Sequence, residues 1–390
     1  MNLLYICAAL FAGEWLAALF PQAYSLLPFV AMLTTLVALL GYGFAVPHWH
    51  WLATAFAGAA LFFLAIAPQE EEFKRSPWLR GRPRRARSAS AATPLRRAFS
   101  RQATIGIEQD AEACAVNRAI LLGERWRLKP ELKRVFVESG SIHVFAISGL
   151  HVMIVAKTLM VLLMLVYVPQ RFAGTAVLPP LWLYVYMIGA PPSAVRAAAM
   201  ASFYLLAPVL WRRSDSLRAW SLTFLAVHVA DPQMIADVGC RLSFTVMLVM
   251  ILAVRLTKRL GRHHPWAKML IVSFAAWAAG APIAASMFGR ITPGGIVANL
   301  VLLPTAALSV AAGVLGALAG FVSETVAAHF NNLAALLTRV MTGMARAVAG
   351  FDWANFEVEG WGLGTSAAWY AALAAAFLFL KKKLRKHQCI

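Results

Sequence analysis

The chain has 390 residues, 61% of them hydrophobic and 14% charged, with 36 Lys and Arg against 17 Asp and Glu and a formal net charge of +19. Soluble globular chains run at about 45–50% apolar and roughly 25% charged residues, so an ordinary water-soluble enzyme, a disordered chain and a collagen-like fibre are excluded. Apolar stretches of bilayer-spanning length predict an all-α polytopic integral membrane protein, and the cationic surplus suits a polyanionic partner, either anionic lipid or nucleic acid.

Three spans are predicted first, over residues 3–20, 24–42 and 51–67, forming an N-terminal membrane unit 1–67. Glu14 interrupts the first run and no basic segment precedes it, so the run reads as an anchor rather than a cleaved signal. Residues 68–107 follow as a basic extracytoplasmic loop, expected to be disordered. Between Lys74 and Arg101 stand ten Lys or Arg and no acid, and Pro77, Pro83 and Pro94 oppose packing. The plain reading is a solvated linker; the sharper one is an arm attracting phosphates, with Trp78 and Phe99 for stacking.

Residues 108–321 are predicted as the core. Two amphipathic helices outside the membrane, 111–122 and 130–138, lead into spans over 142–168, 176–189, 194–211, 217–229, 242–256, 269–288 and 296–321. The remainder, 322–390, holds an amphipathic interfacial helix over 327–350, a last span over 363–380 and a basic tail at Lys381–Lys386. The total is about eleven spans. Short loops with Arg212, Arg213, Arg255, Lys258, Arg259 and Arg262 are expected on the cytoplasmic side, and the tail joins them only if 327–350 crosses.

Polar residues inside spans are functional candidates by default, because a central charge is disfavoured by about 2.5–3.5 kcal/mol on insertion scales. They gather in four stretches. The first holds His143, Ser148, Gly149 and His151. In an unbroken helix Ser148 and His151 share a face, and Gly149 permits a break or close packing. Satisfied packing groups, the lining of an aqueous path and a Ser–His hydrolytic pair all remain open readings. The second runs Pro191, Pro192, Ser193 to Arg196; the prolines end one helix, Ser193 can cap the next, and Arg196 needs a carboxylate, carbonyls, water or an anion. The third holds Asp231, Asp237, Arg241 and Ser243, with either Asp a salt-bridge candidate for Arg241 or Arg196. The fourth holds Asn299 and Pro304, marking an irregular span.

The chain has no G-x-x-x-x-G-K-[ST] loop, no H-E-x-x-H and no His-x-His-x-Asp-His cluster. Cys7, Cys114, Cys240 and Cys389 show no paired spacing. No catalytic residue, metal or cofactor is therefore expected.

Taken in order, these stretches resemble the ComEC competence-protein family, the inner-membrane DNA channel of natural transformation. Leu121-Leu122-Gly123-Glu124-Arg125 with Pro130-Glu131-Leu132 looks like its approach segment, and His143 with Ala146-Ile147-Ser148-Gly149-Leu150-His151-Val152 like its signature. Pro191-Pro192-Ser193 with Arg196-Ala197 looks like the second block. Asp231-Pro232 with Gly239-Cys240-Arg241-Leu242-Ser243-Phe244 looks like the third, Arg241 standing where relatives usually show Gln. Asn299 and Pro304 fit a later, weaker block. The resemblance covers about residues 118–304.

It implies passage of one DNA strand across a bacterial cytoplasmic membrane by a multi-pass protein, along a path lined by His143, Ser148, Gly149, His151, Pro191, Pro192, Ser193, Arg196, Arg241, Ser243 and Asn299. Arg196 and Arg241 would contact phosphates, and Gly149, Pro191 and Pro304 would frame the path as helix breaks. Single-stranded DNA and membrane lipids are the implied partners, with a periplasmic DNA receptor, a separate nuclease and a cytosolic motor or strand-binding protein. The sequence departs from longer relatives, which carry an OB-like domain and often a metallo-β-lactamase-like domain: residues 68–107 are too few for an OB barrel, and a short form without both domains is expected. Transport of a small anionic solute is the alternative, with an intramembrane Ser–His hydrolase behind it.

Overall fold

A computed structural model describes residues 94–230, 238–257 and 265–386. The unit 1–67, most of the basic loop, Asp231 and Asp237 lie outside the described residues.

Thirteen helices are described, numbered here from the first. Three short ones come first: α1 (Pro94–Gln102), α2 (Ala111–Leu122) and α3 (Pro130–Glu138). They are followed by α4 (Gly149–Leu165), α5 (Gln170–Ala176), α6 (Leu178–Met187), α7 (Pro192–Leu206), α8 (Ser216–Ala230), α9 (Val238–Thr257), α10 (Pro265–Phe288), α11 (Gly294–Ala319), α12 (Glu324–Ala349) and α13 (Leu363–Lys386). The fold is not wholly helical: Arg290–Ile291 (β1) and Phe356–Glu357 (β2) pair as an antiparallel ribbon tying the end of α10 to the stretch before α13. Among the described residues three segments are long and apolar enough to cross a membrane: Gly239–Thr257, Ala267–Met287 and Gly294–Ala319. Gly149–Leu165 and Phe172–Met187 are shorter apolar stretches.

The basic segment departs from expectation at its end. Residues from Pro94 form α1, which packs on α11 with Arg96, Phe99 and Ser100 buried. Phe99 therefore sits in the core and is not offered for stacking. Pro94 begins the helix, where its missing N–H removes no bond.

The amphipathic helices pack against the apolar bundle. Helix α12 runs back antiparallel along α11: Gly316 meets Asn331, and Ser309 donates to the Ala334 carbonyl at 3.5 Å. Its polar and small face points into the protein. Asn331 donates to the Gln102 and Ile105 carbonyls at 2.8 and 3.0 Å, while Arg339 and Arg346 pair with Asp110 and Glu112 at 2.6 and 3.0 Å. The small and polar face of the pattern thus serves helix packing. Helix α2 lies across this hairpin, with Leu121 against Gly313 and Ala113 clustered with Ala335.

Two turns set the approach to the site. Helix α2 ends at Gly123 with φ 71, and α3 is followed by Gly140 with φ 71, a left-handed conformation that a β-carbon disfavours. The Ser141 N–H returns to the Phe136 carbonyl at 2.8 Å, turning the chain into a 3₁₀ turn at Ile142–Phe145. Phe136 and Phe145 meet edge to face at 4.5 Å, both fully buried. Such a pair adds about 0.5–1.5 kcal/mol beyond burial. A second core gathers Trp220, Phe224 and Phe244 between α8 and α9.

Candidate functional site

The predicted span over 142–168 is broken. The 3₁₀ turn ends at Phe145, Ala146 is extended, and α4 begins only at Gly149. Ser148 is therefore a cap residue and not a helical neighbour of His151. Its backbone N–H donates to His151 Nδ1 at 3.3 Å, and its Oγ lies 3.1 Å from the same nitrogen. A His replaces the usual Glu or Gln of a capping box. Accepting that N–H requires an unprotonated Nδ1, so a neutral ring carries its proton on Nε2. His151 is 2% exposed, with its ring enclosed beside the Val144 backbone.

The break sits inside the bundle. Gly149 lies against Ala197 of α7 and Met247 of α9, its Cβ position 3.6 and 3.5 Å from their side chains. At 1.5 Å per residue, these contacts are roughly 8 and 13 Å into α7 and α9. A helix N-terminus at that depth presents unpaired N–H groups and the positive end of a helix dipole to the interior.

The second block meets the first directly. Gly189 and Ala190, with φ 88 and 46, reverse the chain, and α7 starts at Pro192 with Pro191 as its cap residue. Ser193 does not cap this helix. Its hydroxyl donates to the Ile147 carbonyl at 2.6 Å, satisfying backbone freed by the break in α4. Arg196 is 5% exposed and donates to the Gly239 carbonyl at 3.0 Å, with its guanidinium 5.9 Å from the Phe244 ring centre. Trp220 donates to the Phe244 carbonyl at 3.0 Å, fixing that ring. Arg196 therefore clamps the second block to the third.

Arg241 and Ser243 are half-buried on the first turns of α9. Asn299 is half-buried in α11, with its Oδ1 enclosed and without a hydrogen bond. Pro304 does not break α11, which is continuous from Gly294 to Ala319. His143 is exposed on the 3₁₀ turn. The contacts thus join Ser148, Gly149, His151, Ser193 and Arg196 to the start of α9.

Four further residues take part that the sequence did not mark as site residues, although Glu124 and Arg125 lie in the approach segment. Arg125 Nε donates to the Phe145 carbonyl at 2.7 Å, holding the turn before Ser148. Arg96 and Glu124, 4% and 6% exposed, form a buried pair at 3.6 Å behind it. Trp126 stands exposed between Arg125 and Arg127. The available signal was Glu124 beside Gly123, an acid immediately after a helix stop, with a compensating cation far away in sequence.

These features describe a bundle of apolar helices in which one discontinuous helix has a polar, half-buried start packed against two others. The model of the family described as Competence protein matches residues 120–383, well over half of the chain, and the chain belongs to that family. It is 27% identical over 222 residues to ComE operon protein 3 of Bacillus subtilis (strain 168), covering 57% of this chain and 28% of that protein. It is 31% identical over 199 residues to an uncharacterized protein of Aquifex aeolicus (strain VF5), covering 50% of this chain and 46% of that one. The matched part is thus less than half the length of either relative. No solved structure matches.

Proposed function

We propose that this chain carries a single strand of DNA across the bacterial cytoplasmic membrane during natural transformation, and that the strand passes the broken start of α4. The observation that carries this reading is the meeting of the first two motif blocks, Gly149 against Ala197 with Ser193 on the Ile147 carbonyl, and their tie to the third through Arg196 on the Gly239 carbonyl. Family membership supports the competence role. A half-helix N-terminus inside an apolar bundle favours anionic groups, and phosphate is the repeated anion of a DNA strand.

Within this reading Arg196 is a positioning residue. Buried on the Gly239 carbonyl, it holds α7 to α9 and sets the aperture beside Gly149. Ser148 acts as the cap and His151 as the acceptor of its N–H, not as nucleophile and base. The α11–α12 hairpin crosses the membrane twice, which places the basic tail on the same side as the Arg255 loop, as the positive-inside rule requires. Transport is driven from outside this chain by a cytosolic motor or strand-binding protein, with an external DNA receptor and a separate nuclease as partners.

The test is a clean deletion in the native host given labelled double-stranded DNA, scoring nuclease-resistant uptake, cytosolic arrival and recombinants separately. Loss of cytosolic arrival, with DNA still held outside the inner membrane, is the expected result. Unchanged transformation in a competent host would remove the proposal and leave transport of a small anionic solute as the better reading.

A further inference from the structure

The 3₁₀ turn Arg125–Arg127 presents Trp126 with 57% of its surface exposed. One face of that indole is covered. The Arg96 guanidinium lies 5.8 Å from its ring centre and is itself buried, held by the Leu122 carbonyl at 3.0 Å and by Glu124. The turn is also fixed on both flanks. Arg125 is bonded to the Phe145 carbonyl, and Arg127 Nε to Glu124 at 2.6 Å. Trp126 is thus a stiffly mounted plane, braced behind by a buried cation, open in front and flanked by two exposed guanidiniums.

From these contacts we infer that Trp126 is a base-stacking platform, taking one base of a single-stranded nucleic acid on its free face while Arg125 and Arg127 meet the neighbouring phosphates. The inference rests on the strand-carrying reading above and names a docking point for that strand. Three observations favour a nucleic acid over a lipid surface. A headgroup anchor needs no rigid brace, yet here a buried ion pair lies behind the ring. Local charge is complementary to a strand: residues 125–134 hold Arg125, Arg127, Lys129, Lys133 and Arg134 against Glu131. The platform also adjoins the site, through Arg125 on Phe145 and Gly123 against Ile147, one residue before Ser148. Stacking on an aromatic side chain tolerates any base, and phosphate contacts tolerate any sequence, which suits a carrier that reads no code.

The experiment uses the full chain in phosphatidylcholine nanodiscs and a 20-nucleotide oligo-dT bearing 5-iodouracil. Irradiation is expected to attach the oligomer to Trp126. Trp126→Leu, which keeps an apolar anchor but cannot stack, should weaken oligo-dT binding about tenfold. Trp126→Phe should stay within about threefold, and an abasic oligomer of the same length should bind wild type and Trp126→Leu alike. Should Trp126→Leu fail to fold, the adduct site and the Trp126→Phe binding ratio decide the matter. Oligo-dT binding unchanged in Trp126→Leu would overturn the platform while leaving the carrier intact. So would equal weakening of both oligomers, or a loss confined to association with anionic vesicles. Absence of any oligomer binding by the wild type would instead remove the strand-carrying reading itself.

Discussion

Replacing Glu124 with Gln strips the buried Arg96 of the one carboxylate paired with it among the described residues. Both side chains are almost wholly enclosed, with Nε and Oε1 3.6 Å apart. Removing one partner of a buried pair costs about 3–5 kcal/mol, because the other charge remains in a poorly polarisable interior. Arg96 keeps the Leu122 carbonyl and the Trp126 face, so the lower end, about 3 kcal/mol, is expected. The reverse change, Arg96→Met, should be milder, about 1–2 kcal/mol, because Glu124 retains Arg127 at 2.6 Å. The double variant Arg96→Met/Glu124→Leu should recover most of the loss, since apolar replacement of both partners is often near neutral. Equilibrium unfolding of the full chain in mixed micelles reads all three. Glu124→Gln within about 0.5 kcal/mol of wild type, the range of surface changes, would refute the claim that α1 is packed on a buried ion pair. So would Arg96→Met proving the more damaging substitution.

Gly149→Ala should fold and transport, because its Cβ position is in ordinary contact with Ala197 and Met247; Gly149→Leu should reach the membrane and lose DNA transport, read by cytosolic arrival of label. Arg196→Ala should abolish transport with the protein still inserted, while Arg196→Lys, which can keep one bond to the Gly239 carbonyl, should restore part of it; normal transport in Arg196→Ala removes the clamp from the account. Asp110 accepts the Ala113 N–H at 2.8 Å and pairs with Arg339, and these hold its carboxyl below the ordinary value of 3.8. Its contribution to stability is therefore complete above about pH 5 and is lost as pH falls through the lowered value. The stability gap between wild type and Asp110→Ala should be constant from about pH 7 to 5 and shrink below about 4; a gap persisting to about pH 2 contradicts this.

Much of the helical order was legible because apolar length and periodicity survive in local sequence. The bounds of α2 and α3 were legible from amphipathic periodicity, and in the structure Asp110 and Gly123 cap the one while Pro130 opens the other. The amphipathic segment 327–350 was legible as a helix, but its docking was not. Nothing local shows that Asn331 would bond to carbonyls at Gln102 and Ile105, more than two hundred residues away. The same limit hid Arg96, which reads as one cation in a basic run until Glu124 is placed beside it. Pro304 misled in the other direction, because α11 absorbs it without ending, with Thr305 bonding back to the Val301 carbonyl. At the site, residue types identified the polar stretch, but the break itself depended on Ser193 reaching the Ile147 carbonyl across the bundle.

The central claim is that the strand passes the start of α4. A photo-crosslinking amino acid placed at Leu150, beside Gly149 and partly exposed, reports on it in cells taking up labelled DNA. A matched probe at Leu336, on the outward face of α12, serves as the reference. Irradiation during uptake should attach labelled single-stranded DNA at position 150 and not at 336. Uptake that proceeds normally with no adduct at 150, or with equal adducts at both positions, would contradict the account.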